Sequence, residues 1–102
     1  MRLIARRSPV EFCGKLPLAE RKSALSAMIA WSTAVEAASW TSFAEVKATF
    51  NTADWAGNAK VIFDVGGNKY RIVGLIGFRS KRLWVLFVGT HRQDDQLDVT
   101  KL

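Results

Sequence analysis

Histidine is the side chain whose ordinary pKa, about 6.5, lies closest to neutral pH, which fits it to give or take a proton under cellular conditions. This chain has a single one, His91. The stretch that leads to it, FDVGGNKYRIVGLIGFRSKRLWVLFVGTHRQDD over residues 63–95, is the most apolar run in the sequence and still carries Lys69, Arg71, Arg79, Lys81, Arg82 and Arg92. Arginines such as Arg71 and Arg79 are permanent cations whose fork of N–H donors matches a pair of anionic oxygens. A proton-exchanging ring among fixed cations suits chemistry on an anion. The elements that hold these groups must therefore turn charge to one side and apolar residues to the other.

Composition sets the frame for that requirement. A chain of 102 residues, 49% apolar and 24% charged, has the profile of one ordinary globular domain over residues 1–102 with a modest core. Fifteen Lys and Arg against nine Asp and Glu give a net charge of +6. Between Lys60 and Arg92 there are seven cations and one acid, whereas the closing DDQLDVTKL has three acids and one lysine. So concentrated a positive field favours an anionic partner, and nucleic acid leads because each neutralised phosphate releases a counterion. No apolar run reaches the roughly 18–20 residues of a membrane span, and MRLIARRSPVEF has neither the long hydrophobic region nor the cleavage site of a secretory signal. The expectation is a cytoplasmic protein without a membrane partner. One cysteine, Cys13, forms no internal disulfide and reads as small apolar filler. VGGN lacks the lysine-bearing strand-to-helix setting of a phosphate-binding loop and reads as a tight turn, so no cofactor is expected.

The order of elements follows from periodicity and caps. MRLIA reads as an opening strand, and SPVE as a helix start with Ser8 as N-cap and Glu11 closing a capping box. Gly14 and Pro17 interrupt that helix before the long, alanine-rich LAERKSALSAMIAWSTAVEAAS. There Leu18, Leu25, Met28, Ile29 and Val35 fall near one face at helical spacing. TSFAEVKATF predicts a third helix with Ser42 as cap and Glu45 at the capping-box position, and NTADWAGNA predicts a loop. KVIFDV, KYRIVGLIGF and LWVLFVGT, separated by GGN and RSKR, predict consecutive antiparallel hairpins. Alternation puts Tyr70, Ile72, Ile76 and Phe78 on one side, Arg71, Val73, Leu75 and Arg79 on the other. THRQDDQLDV predicts a short helix capped by Thr90. The fold class is α+β: an antiparallel sheet with an N-terminal strand, helices packed on one face, a short C-terminal helix, and the other face open.

VIFDVGGNKYRIV and FVGTHRQDDQLDV resemble the HigB family of toxins within the RelE-like superfamily, whose members have a similar Gly-Asn-Lys-Tyr-Arg stretch and a later Thr-His pair ahead of acids. The opening strand and FAEVKATFNTADWAGNAKVIFDV extend the likeness over most of the chain. The resemblance implies a type II toxin, a messenger-RNA interferase acting on the translating ribosome. It implies neutralisation by a HigA-type antitoxin, through which operator DNA is met only indirectly.

Metal-independent RNA cleavage would use the ribose 2′-hydroxyl as nucleophile, so the protein must grip phosphate, move a proton from the hydroxyl and protonate the leaving 5′-oxygen. The expected catalytic groups are Arg71 as clamp, His91 as acid or base, and Asp95, which matches the family's acid and would orient His91 or a cation. Lys60, Lys69, Arg79, Lys81, Arg82 and Arg92 are the expected RNA-binding cations. Tyr70 lies in the matched stretch on the core-facing side. His91, Asp94, Asp95 and Asp98 fall near one side of a helical tail, and charge compensation explains them better than a metal, so no metal site is expected. Where the family commonly has tyrosine, this chain has Asp94. A carboxylate neither stacks on a base nor welcomes a phosphate. The alternative is a weakened or inactive module that binds antitoxin or RNA without cutting.

Overall fold

A computed structural model describes residues 1–102, apart from the side chain of Thr100. In chain order the elements are β1 (Arg2–Ala5), α1 (Pro9–Cys13), α2 (Leu18–Ala37), α3 (Phe43–Thr49), β2 (Asp54–Gly57), β3 (Lys60–Val65), β4 (Tyr70–Gly77), β5 (Arg82–Thr90) and α4 (His91–Asp95), followed by a 3₁₀ turn at Val99–Lys101. The strands form one sheet in the order β1-β5-β4-β3-β2. The hairpins β3–β4 and β4–β5 are antiparallel as expected, and β1 joins the edge of β5 in parallel, so the sheet is mixed.

Alternation places Val61, Phe63 and Val65 of β3 and Tyr70, Ile72 and Ile76 of β4 in the core beneath the helices. Helix α2 meets them with Ala24, Met28, Trp31 and Val35, a stripe with steps of four, three and four residues. The Trp31 ring stands edge-on to Phe63 with centroids 5.3 Å apart. Leu18 and Ile29 do not share this face, being 79% and 51% exposed. Ile29 lies about 100° around the helix from Met28, and the alanines on either side leave the buried stripe weakly marked in the sequence. Burial pushes the Cys13 thiol up, as suits an apolar filler.

Three further details depart from expectation. Asp54–Gly57 is an edge strand rather than loop, with Asp54 opposite Ile62 and Trp55 opposite Val61. Its turn is only Asn58 and Ala59, both with positive φ (51° and 61°), as the tightest hairpins require, so the Asn/Asp/Gly cluster exaggerates the loop's length. At α3 the N-cap Ser42 makes no side-chain bond. Instead Thr41 donates its N–H at 2.7 Å, and its hydroxyl, to Glu45 Oε1, moving the cap one residue upstream. Finally, the sheet face away from the helices is not fully open. The last residues return across it, Lys60 Nζ donating to the Val99 carbonyl at 3.1 Å.

Candidate active site

A four-residue turn, Gly66–Lys69, links β3 to β4. Gly66, Gly67 and Asn68 all have positive φ (68°, 61° and 78°), and a Cβ on Gly66 would stand 3.1 Å from the Tyr70 ring. This turn sets the register Val65↔Tyr70 and Asp64↔Arg71. On the other side of β4, Arg71 faces Gly89 of β5. Directly after β5, Thr90 caps α4 through a full capping box: its hydroxyl accepts from Gln93 N–H at 3.2 Å, and Gln93 Oε1 accepts from Thr90 N–H at 2.9 Å. The capped helix swings His91, Asp94 and Asp95 back over Arg71.

The result is a guanidinium enclosed by carboxylates. Arg71 Nη1 donates to Asp94 Oδ2 at 2.5 Å and reaches Asp95 Oδ1 at 3.5 Å, while Nε donates to Asp64 Oδ1 at 3.1 Å. Asp94 is 5% exposed and Asp95 69%, so the first is a buried partner and the second a solvated one. The hydrogen bonds that Arg71 donates to Asp94, and then to Asp64, raise its pKa further, against the opposing effect of burial. With one cation and three carboxylates, the innermost cluster sums to −2 with His91 neutral. The open cationic platform expected of these strands is therefore absent at Arg71, because α4 folds its own acids onto it.

His91 Nε2 stands at the junction. It lies 3.0 Å from Arg71 Nε, 2.9 Å from Asn68 Oδ1 and 3.4 Å from Asp64 Oδ1. Arginine only donates, so the first contact requires a bare Nε2, whereas a carbonyl or carboxylate oxygen requires Nε2–H. Which of these contacts is made therefore depends on the tautomer of the ring. The arrangement supplies a proton-transfer group and a cationic fork within hydrogen-bond reach of each other.

The model of the HigB toxin family, described as the RelE-like toxic component of a toxin–antitoxin system, matches residues 24–97. The chain belongs to the HigB toxin family. No curated protein matches it. Membership makes an antitoxin the implied partner and suggests ribonuclease activity.

In this HigB-family chain the expected residues divide by location. Arg71, His91 and Asp95 converge, and Lys69 and Arg92 lie exposed beside them, on the turn and on α4. Asp95 contacts Arg71 and not His91; the acid near the imidazole is Asp64. Arg79, Lys81 and Arg82 sit at the opposite end of the β4–β5 hairpin, about 20 Å along the strand from Arg71. Strand β4 ends at Gly77, so Arg79 stands in the turn rather than on a strand face. Lys81 donates Nζ to the Ser39 and Trp40 carbonyls at 3.3 and 2.8 Å, tying the hairpin to the end of α2. Lys60 is 7% exposed and bound to the tail, which removes it from any open surface. Tyr70 is buried, edge-on to Phe12 at 5.7 Å, with its phenol pushed up by burial, so it belongs to the core.

Sequence reasoning missed Asp64 and Asn68. A turn of GGN alone, with the next strand starting at Lys69, sets Asp64 against Tyr70; the observed turn is one residue longer and sets Asp64 opposite Arg71, where opposite charges directly across a ladder form a pair. Among the described residues no cluster of three or more His, Cys, Asp or Glu side chains is arranged to hold a metal ion.

Proposed function

We propose that the chain is a metal-independent messenger-RNA interferase that acts on the translating ribosome in the cytoplasm and is neutralised by a HigA-type antitoxin. In this reading Arg71 holds the scissile phosphate and stabilises the charge that builds on it. His91 transfers the proton between the ribose hydroxyl or leaving oxygen and the solvent. Asp95 and Asp64 aim the fork, with Asn68 aiming the ring, and Lys69 and Arg92 add field at the rim. The observation that supports the reading best is the 3.0 Å approach of His91 Nε2 to Arg71 Nε, a proton donor-acceptor beside a phosphate-sized fork.

The contact between Asp94 and Arg71 carries a condition. A phosphate that takes Nη1 competes with the Asp94 carboxylate, so full use of the fork requires Asp94 to move. No described group hydrogen-bonds to Asp94 Oδ1, although that oxygen is buried. An unfilled buried acceptor costs about 1–3 kcal/mol, which weakens the hold of Asp94 on its seat. The same contact favours a second reading, in which Arg71 stays closed and the chain binds its antitoxin or RNA without cutting.

Primer extension on cellular messages after brief induction separates the two. New 5′ ends that vanish in Arg71→Ala and His91→Ala support cleavage. Growth without new ends, at normal protein levels, refutes it.

A further inference from the structure

The two halves of β5 have different neighbours. Residues 82–85 pair with β1 on one side and β4 on the other. The β1 ladder closes where Arg6 and Arg7 both donate main-chain N–H to the Val85 carbonyl, at 3.1 and 3.2 Å, and the chain then leaves for α1. After a bulge at Leu86, residues Phe87 to Thr90 of β5 keep β4 on one side and, among the described residues, have no strand on the other.

Two adjoining depressions of about 150 and 410 Å³ lie along that free side and share Phe12, Lys15 and Val88. Phe12, Leu16 and Val88 make an apolar wall, and Arg6, Arg7 and Lys15 stand around the rim with Glu11 as the one acid. None of these three cations is ion-paired among the described residues. His91 N–H donates to the Lys69 carbonyl, and bonded pairs alternate in an antiparallel ladder. Gly89 and Phe87 thus turn their main chain to β4, and Val88 turns its N–H and C=O to the free side. Unpaired main chain beside an apolar wall is a template for another strand.

We propose that this groove is a strand-addition site for an extended, acidic segment of the antitoxin. The proposal rests on membership of the toxin family and not on RNA cleavage. Side chains of an added strand alternate, so apolar residues would enter against Phe12, Leu16 and Val88 while acidic ones meet Arg6, Arg7 and Lys15. A second copy of this chain would bring the same three cations against one another, which opposes self-pairing. RNA would neutralise the cations but has no extended peptide main chain to pair with the N–H and C=O of Val88.

The test is an NMR titration of the full ¹⁵N-labelled chain with a capped octapeptide of alternating valine and glutamate, its valine–lysine counterpart, and octauridylate. Saturating shifts at the Leu86–Thr90 amides with the glutamate peptide, none with the lysine peptide, and binding weakened at least about tenfold in Arg7→Glu/Lys15→Glu are expected. Arg7 and Lys15 are exposed, so this variant should keep the parent spectrum elsewhere. No saturation, or unchanged affinity in the variant, overturns the proposal, and tighter octauridylate binding at the same amides reassigns the groove to RNA. The titration requires no turnover, so its failure leaves the ribonuclease reading intact. Equally, a chain that cuts nothing still reports on the groove.

Discussion

The two ends of the β4–β5 hairpin use cations in opposite ways. At one end Arg71 is packed among Asp64, Asp94 and Asp95, three acids drawn from β3 and α4. At the other, Arg79 and Arg82 stand exposed and Lys81 ties down two main-chain carbonyls. Net charge alone favours the second end as the landing place for an anion. Yet only the first has a proton-transfer group beside its guanidinium. Chemistry needs convergent, desolvated groups, and bringing cations together inside a fold requires acids to hold them there until a ligand takes over.

Removing the central fork should separate the two ends most widely. Arg71→Ala leaves the buried Asp94 without its partner, for an expected loss of about 2–4 kcal/mol, and should lower RNA cleavage by about a hundredfold or more. Arg79→Ala should stay within about 0.5 kcal/mol of the parent. Urea unfolding and a cleavage assay on both variants check this, and equal effects at the two ends would break the comparison.

Asp94→Tyr replaces the competing carboxylate with a phenol that stacks on a base. Growth arrest should then set in at several-fold lower inducer, and an unchanged dose response would show that Asp94 does not limit the rate. Lys81→Ala, by contrast, removes two hydrogen bonds to carbonyls near the end of α2. Stability should fall by about 1–2 kcal/mol with RNA affinity unaltered; an affinity loss without a stability loss would return Lys81 to the RNA surface.

The smallest effect lies at α3. The Thr41 hydroxyl and N–H hold the Glu45 carboxyl below its ordinary 4.5. A lowered folded pKa means that the stabilisation is complete above that value and fades as the pH drops through the folded one. Glu45→Gln should therefore unfold earlier than the parent near neutral pH and match it in acid. A gap that persists in acid would assign the cap to something other than the charge.

Much of this architecture is legible in the residues. Runs rich in β-branched and aromatic residues mark β3, β4 and β5, GGN marks the turn between the first two, and Thr90 marks the start of α4. Strand β2 is hidden because a four-residue edge strand ending at Gly57 has the composition of a loop. The parallel pairing of β1 is hidden because partner choice across eighty residues leaves no local trace. At the candidate site, Arg71, His91 and Asp95 do come together. What the sequence conceals is the sign of their surroundings: α4 is too short for its caps to reveal its direction, and its direction is what lays Asp94 on Arg71. Charge counted along a chain says little about charge summed in space.

Binding of an oligoribonucleotide made non-cleavable by 2′-O-methyl groups, compared between the parent chain and Asp94→Asn, tests most directly whether Arg71 is a phosphate grip withheld by its own helix. Removing that charge without changing the side chain's shape is expected to tighten binding about tenfold, with the gain abolished when Arg71→Ala is added. Equal or weaker binding by Asp94→Asn, in a variant that remains folded, would contradict the account.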